Sequence, residues 1–553
     1  MSHPIVVLER WSESYQKLVL LALSIAVPLL LLTARRRVRV PPGYIRVPGP
    51  PSFPIVGNAL QLDRHPQKQF RQWAQQYGEL YRLKLGKDEY VMINTPAAAK
   101  EILDKQSNIT SSRPEQYVLN HEVSGSKRFV LMSNTPTWRS LRAIVHKVLT
   151  PKSSLVFRSS QEFEGKQLVY DILTENHDLM SFFDHVRRYT TSVVMTSTYG
   201  RRIPKRDSEE IRQVYKVMEE FNIAARPGTF LADSLPVLLW LPKWAQWWRK
   251  RALLYYNRQE ELWMSLWHHL QKQMEANQAP ECFLKHFMET DYKRQDISEL
   301  QAAFVAGSMI EAGSETTSST INTAIMHLAA NPDAQKKAHA ELSAVVGDNR
   351  SPTFDDEQSL PYIRAIGKET LRMRPLTLFG APHQNTTDMT YKNYFIPSGT
   401  VLSVSYNVFH YDPDRYEEPF KFRPDRYLNH PEKSGVYVNA ADPYERDHFA
   451  FGNGRRACPG VHLAENSLYI TLAKILWAFE IRPPLGPDGK EEAIDISDDA
   501  FQSGGTVAPN KFRARFIPRN ETVKKTLIHE WEEAMEEGFY LGEVKVTLDG
   551  MVV

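Results

Sequence analysis

Apolar residues recur at helical spacing through most of this chain, which predicts a mainly α-helical protein with small β-sheets. The longest predicted helix covers residues 300–330, and another covers residues 360–374, where Pro375 ends it. No internal repeat or low-complexity tract interrupts this pattern. Strand-like residues occur only in short pieces, such as residues 81–85, 390–404 and 513–517.

An uncharged apolar stretch, residues 18–34, lies near the N-terminus and is followed by four arginines within residues 35–39. Its length is at the short end for a membrane span, and a secretory signal peptide is the alternative. The basic residues follow the apolar run and no Ala-x-Ala cleavage pattern is present, so we predict an uncleaved transmembrane anchor with a cytosolic main domain. Residues 1–34 then form the anchor segment, and residues 35–58 a basic, proline-rich hinge.

The composition is that of a large globular enzyme, with 42% hydrophobic residues, 24% charged residues and a net charge of +3 over 553 residues. We expect no nucleic-acid partner. The final segment, residues 521–553, differs from the rest because it holds eight acids and three lysines. We expect an acidic surface element of unknown role there, appended to a main domain of residues 59–520.

The segment Phe451-Gly-Asn-Gly-Arg-Arg-Ala-Cys458-Pro-Gly460 predicts a loop that leads into a helix near Val461. The glycines allow positive φ and close approach to a flat ligand, and Pro459 suits the first helical position. A helix N-terminus favours an anion, so we expect the pKa of the Cys458 thiol to be lowered. Cys282 is the only other cysteine, which excludes a disulfide framework and makes a structural zinc site a poor alternative. A buried structural cysteine is the remaining alternative.

Polar residues interrupt the longest predicted helix at Ala312-Gly-Ser-Glu315-Thr316-Thr317. An acid and two hydroxyls are costly to bury in an apolar helix, which indicates a functional groove there. We expect Gly313 to permit a local widening of the helix, with Thr316 and Glu315 beside it. The alternative is that the threonine hydroxyls bond to carbonyls of the preceding turn.

The cysteine segment matches Phe-x-x-Gly-x-Arg-x-Cys-x-Gly and resembles the haem-binding signature of the cytochrome P-450 family of haem-thiolate monooxygenases. The resemblance implies a single mainly helical fold enclosing haem b. It makes Cys458 the axial ligand of the iron, Arg456 a partner of a haem propionate and Phe451 a shield over the sulfur. Gly454 and Gly460 complete the match.

Further motifs follow the family's order. The resemblance implies a structural charge network of Glu369, Arg372 and Arg426, in which the first two share a helix face. It implies that Thr316 and Glu315 relay protons to dioxygen. It also assigns three residues to the haem propionates: Trp138, Arg142 and His383.

The implied reaction inserts one oxygen atom from dioxygen into a hydrophobic small molecule, as in microsomal fungal members that act on polyketide, aromatic or terpenoid intermediates of secondary metabolism. Electrons must come from an NADPH-dependent reductase, because no flavin- or nicotinamide-binding glycine motif is present. We expect three basic residues to help dock it: Arg139, Lys147 and Arg455. The implied location is the endoplasmic reticulum membrane.

Two other functional classes stay open: a haem-thiolate isomerase or dehydratase that needs no reductase, and a non-catalytic haem protein. The resemblance also predicts where the substrate pocket lies. It should draw on five regions of the chain: residues 106–134, residues 222–240, Phe304 with Ser308, residues 376–381 and residues 502–506, with Phe304, Phe379 and Phe501 prominent.

Overall fold

The structure is a computed structural model that describes Ser24 and residues 39–552, apart from residues 55, 176, 177, 206, 227 and 503–505. Among these described residues, no helix is long and apolar enough to cross a membrane. The predicted anchor at residues 18–34 lies outside the described residues except for Ser24, so it stays a prediction.

The prediction of a mainly helical protein with small sheets is confirmed over the described part of the chain. The α-helices are α1 (Gln67–Tyr77), α2 (Pro96–Ala99), α3 (Ser107–Thr110), α4 (Pro136–Val148), α5 (Pro151–Leu155), α6 (Arg158–Thr174), α7 (Phe182–Tyr199), α8 (Glu209–Ala225), α9 (Leu231–Ser234), α10 (Arg249–Glu275), α11 (Phe283–Met288), α12 (Glu299–Ala330), α13 (Pro332–Val345), α14 (Pro361–Met373), α15 (Tyr406–His410), α16 (Ser434–Tyr437), α17 (Val461–Ala478) and α18 (Glu521–Glu537).

The strands are short and form four small sheets within the described residues. They are β1 (Ile45–Arg46), β2 (Leu80–Leu85), β3 (Asp88–Ile93), β4 (His383–Gln384), β5 (Met389–Tyr391), β6 (Tyr394–Ile396), β7 (Val401–Val404), β8 (Phe479–Arg482), β9 (Arg515–Pro518), β10 (Phe539–Leu541) and β11 (Val544–Val546). The largest sheet has the order β2-β3-β7-β4, and a second has the order β1-β6-β5. Strand β1 pairs in parallel with β6, so part of the predicted hinge is built into a sheet.

The long helix α12 runs through the centre of the protein, and its residues from Ala302 to Ala329 are buried except for six within residues 309–316. The Ser298 side chain caps its N-terminus by accepting a hydrogen bond from the backbone N–H of Gln301 at 3.1 Å. Its closest neighbour is α7, because Gly313 has no side chain to separate the two helices: a Cβ there would lie 2.2 Å from Val194 Cγ2. Gly313 is therefore needed for close packing. The local widening expected at this position is absent, since α12 is continuous.

Helix α17 begins at Val461, directly after the cysteine segment, and leads into β8. Its first turn thus holds the segment that contains Cys458 against the core. Gly460 is the residue that caps this helix, so Pro459 lies before the cap and not at the first helical position as we expected.

The acidic segment after residue 520 is not the appended surface element that we expected. Its helix α18 packs against α6 and places Trp531 beside Phe163, with ring centroids 5.4 Å apart. Phe539 of the β10–β11 hairpin packs on the same ring at 5.1 Å. The Glu530 carboxylate accepts hydrogen bonds from both the backbone N–H and the hydroxyl of Ser351. The segment therefore contributes a hydrophobic cluster of its own to the fold.

Candidate active site

A cavity of about 490 Å³ lies between the middle of α12, helix α4 and the cysteine segment. It brings together residues from Arg113 to Thr506, which are 393 positions apart in the chain, because α4, α12 and α17 meet around it. Ten of the residues singled out from the sequence line it: Trp138, Arg142, Gly313, Glu315, Thr316, His383, Phe451, Arg456, Cys458 and Gly460.

The cysteine segment is a tight loop. The backbone N–H of Cys458 donates to the carbonyl of Phe451 at 2.8 Å, which closes the loop. Gly454 has φ of 55°, and a Cβ there would lie 2.2 Å from the Leu103 carbonyl oxygen, so only glycine fits. Gly460, in contrast, has φ of −89° and does not use the positive-φ region that we expected. Gly454 supports the loop from behind and does not line the cavity.

Cys458 lies deep in the protein, with free surface toward the cavity. Burial raises the pKa of its thiol, while a backbone hydrogen bond from Gly460 and the charge of Arg142 lower it. The backbone hydrogen bond expected at a helix N-terminus is therefore present and the charge of Arg142 adds to its effect, but burial outweighs both. The pKa of the thiol is raised and not lowered as we expected, because helix position alone takes no account of the solvation that a buried thiol loses.

Three guanidinium groups line one side of the cavity: Arg113, Arg142 and Arg456. In the part of the chain that the structure describes, no carboxylate lies within ion-pair distance of any of them. Burial and the neighbouring charges of Arg113 and Arg142 lower the pKa of Arg456 to about 8. Burial lowers the pKa of Arg113 to about 10. Such a concentration of unpaired buried positive charge fits an anionic ligand with more than one negative group.

Each guanidinium is held in place by main-chain carbonyls. Arg456 donates to Ser111 O at 2.8 Å and to Met132 O at 2.6 Å, and its guanidinium stacks 3.7 Å from the Trp138 ring. Arg142 donates to Ala457 O, directly before the cysteine. The Trp138 indole N–H is buried and has no hydrogen-bond partner in the described structure. This N–H and the three cations are donors suited to a ligand with two carboxylates, as the resemblance implies for haem.

Arg113 was missed by the sequence reasoning. It stands in a loop between serine and proline, where no spacing marks its role. Its side chain donates to Val130 O at 3.1 Å and to Ala381 O at 2.8 Å, which aims it at the cavity.

His383 reaches the cavity but differs from the expectation that it donates to a propionate. Burial, together with Arg113 and Arg456, lowers its pKa to about 3, so the ring is neutral. Its Nδ1 lies 2.9 Å from the Thr110 carbonyl, which can only accept, so Nδ1 carries the proton. The other ring nitrogen is then an acceptor and offers no proton to an anion.

Thr316 and Glu315 face the cavity from α12. The Thr316 hydroxyl donates to Ala312 O at 2.6 Å, as in the alternative weighed from the sequence. Its oxygen still has lone pairs to accept a further hydrogen bond. Glu315 Oε2 accepts a hydrogen bond of 2.8 Å from Asn222 on α8, a partner that the sequence did not indicate.

A second buried acid, Glu311, lies one turn before Glu315 and forms an ion pair with Arg128. Arg128 also donates to Gln259 at 2.5 Å, and its guanidinium lies 3.5 Å from the centre of the Phe221 ring. Burial raises the pKa of Glu311 and the arginine opposes that shift. Sequence reasoning missed this pair because its members are 183 residues apart.

Glu369, Arg372 and Arg426 meet in the core, away from the cavity. Arg372 donates to both carboxylate oxygens of Glu369, at 2.7 and 2.8 Å, and Arg426 donates to Glu369 at 3.2 Å. The backbone N–H of Arg423 adds a fourth hydrogen bond at 2.8 Å. Because the buried acid accepts four hydrogen bonds, three at Oε1 and one at Oε2, the network fixes the chain before the cysteine segment onto α14.

The expected pocket lining is only partly present. Phe379 lines the cavity, whereas Phe304 stacks on Tyr256 and Phe501 lies under the Arg374 guanidinium, both in the core. Of residues 222–240, Asn222 alone belongs to the lining. Residues 503–505 lie outside the described residues. Helix α7 contributes lining residues that we did not anticipate: Thr190, Val193, Val194, Ser197 and Thr198.

Comparison with known proteins adds independent information. A sequence model of the family described as Cytochrome P450 matches residues 47–498. The chain is 40% identical over 507 residues to the cytochrome P450 monooxygenase pgmC of Aspergillus terreus, covering 91% of this chain and 92% of that one. It is 37% identical over 495 residues to the monooxygenase verL of Clonostachys rogersoniana, covering 89% and 90%. With the monooxygenase fogE of Aspergillus ruber the identity is 33% over 521 residues, covering 94% of each.

Proposed function

The chain belongs to the cytochrome P450 monooxygenase family and uses haem, and from this premise we propose that it oxidises a hydrophobic intermediate of fungal secondary metabolism by inserting one oxygen atom from dioxygen. The observation that carries the proposal is the shared cavity. Among the residues that the structure describes, one thiol faces it from a loop, and three guanidiniums without a carboxylate partner and an indole N–H without an acceptor surround it.

These residues fit the group. Cys458 would supply the sulfur ligand of the iron, and Arg113, Arg142, Arg456 and Trp138 would hold the two carboxylates. The haem supplies the binding and reductive activation of dioxygen when it is bound. The protein supplies position, a dry environment and protons.

Protons reach the cavity through Glu315 and Thr316 in this proposal. The Thr316 hydroxyl is oriented by Ala312 O, so its oxygen presents lone pairs to the cavity. The Asn222 amide holds one oxygen of Glu315. The carboxylate can therefore take up a proton on its other oxygen and pass it toward Thr316 without leaving its place.

The cavity lining supports a mainly apolar substrate. Phe129, Val193, Met309 and Phe379 provide apolar surface, while the Thr190 and Ser197 hydroxyls provide weak polar contacts. Arg128 and Glu311 neutralise each other, so this pair adds no net charge to the cavity lining.

We propose that electrons come from a separate NADPH-dependent reductase that docks on the face of the cysteine segment. Arg139 and Lys147 are exposed on α4, and Arg455 is exposed in the segment itself. Arg139→Glu and Arg455→Glu should slow reduction at low salt, and Lys336→Glu on the exposed face of α13 serves as control. A reduction rate that does not fall as ionic strength rises would argue against electrostatic docking.

For location we propose single-pass attachment to the endoplasmic reticulum membrane through residues 18–34, with the catalytic domain in the cytosol. The support is the apolar stretch and the arginines that follow it. Extraction of the full chain from microsomes by alkaline carbonate, without detergent, would contradict this attachment.

The proposed activity is tested by co-expression of the full chain with a reductase in a host fed candidate metabolites. We expect a thiolate-type spectrum of the reduced carbon monoxide complex, its loss in Cys458→Ser, and products heavier by one oxygen atom that require NADPH. Substrate conversion without NADPH would instead support the isomerase or dehydratase alternative. Binding of haem without any turnover would support a non-catalytic role.

A further inference from the structure

The ion pair of Arg128 and Glu311 in the cavity wall has no part in the reaction proposed above. Both residues line the cavity, and their side chains are 2% and 11% exposed. A buried pair of this kind adds little to stability, because both charges lose their hydration. Its place in the lining, one helical turn from Glu315, therefore indicates a role toward the ligand.

The Arg128 guanidinium is held from three sides. It donates to Glu311 Oε2 on α12 and, at 2.5 Å, to Gln259 Oε1 on α10. The Gln259 amide nitrogen donates to two main-chain carbonyls, at 3.1 and 3.0 Å, so the amide oxygen is left to accept from Arg128. The centre of the Phe221 ring on α8 lies 3.5 Å from the guanidinium carbon. Arg128 is therefore fixed, and Glu311 is the member of the pair with more accessible surface.

Glu311 keeps an unused hydrogen-bond acceptor. Its Oε2 accepts from Arg128, whereas its Oε1 is buried and has no hydrogen-bond partner among the described residues. The hydroxyl of Ser308, three residues earlier on α12, is already committed to the Phe304 carbonyl at 2.7 Å. An unpaired buried acceptor costs free energy, and a donor on a ligand would remove that cost.

The surroundings of the pair fit a neutral ligand group that donates a hydrogen bond. The two charges cancel, so a charged ligand group would meet no unpaired charge of opposite sign at this place. Phe129, Phe221 and Phe379 line the same cavity and provide apolar surface for the rest of the ligand. Little of Oε1 is accessible, and a ligand reaches it when the carboxylate rotates about its terminal torsion, which is soft.

We propose that Glu311, held in place by Arg128, recognises a hydroxyl group on an otherwise apolar substrate. The hydroxyl donates to Glu311 Oε1, and an analogue without an O–H leaves that oxygen unpaired and binds more weakly. Glu311 is thus a specificity-determining residue and Arg128 a positioning residue. The inference rests on the proposed function, because it assigns the substrate class of the same cavity.

The test compares 2-naphthol with 2-methoxynaphthalene, two aromatic probes of similar shape of which only the first donates a hydrogen bond. Their dissociation constants are measured on the oxidised full-length holoprotein from the shift of the haem absorption band, without NADPH or reductase. We expect wild type to bind the naphthol at least about ten-fold more tightly. Arg128→Met combined with Glu311→Leu replaces the pair by apolar side chains, and we expect this preference to fall below about two-fold.

A matched control uses a second ion pair on the same helices. Arg258 of α10 donates to Glu220 of α8, and both residues lie outside the cavity lining. Arg258→Met combined with Glu220→Leu should therefore keep the preference of wild type.

The single variant Glu311→Gln gives an independent measurement if the double variant does not fold. It leaves the charge of Arg128 without a carboxylate partner, so binding of the anion 2-naphthoate should strengthen at least about ten-fold relative to wild type. Unchanged binding of 2-naphthoate would contradict a role of this pair in recognition.

Wild type that binds the ether as tightly as the naphthol, or that binds no naphthol, would overturn the inference. The same holds if the variant that lacks the Arg128–Glu311 pair keeps the full preference. Because binding is measured without turnover, a preference for the naphthol in a protein that oxidises no substrate would contradict the proposed function alone. Oxidation of substrates by a protein without this preference would contradict the present inference alone.

Discussion

Replacement of Trp531 by alanine tests whether the acidic C-terminal segment is part of the fold. The indole is 4% exposed and packs between Phe163 and Tyr170 of α6, with ring centroids 5.4 and 6.0 Å away. An aromatic side chain of this kind buries roughly 200 Å², which at about 25 cal/mol per Å² corresponds to about 5 kcal/mol as an upper value. Because alanine retains Cβ and the site partly collapses, we expect the free energy of unfolding to fall by about 3–5 kcal/mol.

The assay is urea denaturation followed by far-ultraviolet circular dichroism, with the spectrum of the haem recorded before denaturant is added. Tyr540→Ala is the control, since Tyr540 lies in the same segment with its side chain in solvent, and its loss should change stability by less than about 0.5 kcal/mol. Trp531 does not itself line the cavity, so the haem spectrum should be unchanged. Equal midpoints for the two variants would refute the claim that this segment is integral.

Three further predictions concern the site and its support. Thr316→Ala should retain haem but divert electrons from NADPH into hydrogen peroxide, whereas Thr316→Ser should restore the coupling of NADPH oxidation to product formation. Full coupling in the alanine variant would exclude a role of Thr316 in proton delivery. Gly454→Ala should lower the yield of haem-containing protein, because its Cβ would lie 2.2 Å from Leu103 O. The control Gly489→Ala also has positive φ but has open space around its Cβ, so its free energy of unfolding should fall by only about 1 kcal/mol. Burial lowers the pKa of Lys474 to about 8 from an ordinary 10.5, so the folded state loses its proton at a lower pH than the unfolded state does. As the pH rises from about 8 to 10.5, the free energy of unfolding of wild type should therefore increase by up to about 3 kcal/mol relative to that of Lys474→Met. A stability difference between these two proteins that does not change with pH would contradict the last prediction.

The cysteine loop and the order of helices could be predicted from the sequence because both depend on local spacing. The ten residues from Phe451 to Gly460 contain the thiol and Gly454, which must adopt positive φ, and helix α17 begins directly after them. Glu369 and Arg372 are one helical turn apart, so their contact also follows from local geometry.

Predictions failed where the outcome depended on what packs against a residue. Gly313 could have widened a helix, but its role is set by Val194 on a neighbouring helix. The resemblance implied that Phe304 lines the pocket, yet α12 turns it toward Tyr256.

The sequence by itself determined that this chain carries one thiol at a helix N-terminus and a polar interruption in its longest apolar helix. Only the tertiary structure decided which charges surround that thiol. Arg113 and Arg456 come from segments 343 positions apart, and Asn222 meets Glu315 across 93 residues. No periodic pattern of residues in the sequence predicts either contact. Contacts between distant segments depend on how the helices pack and on which buried charges need a partner.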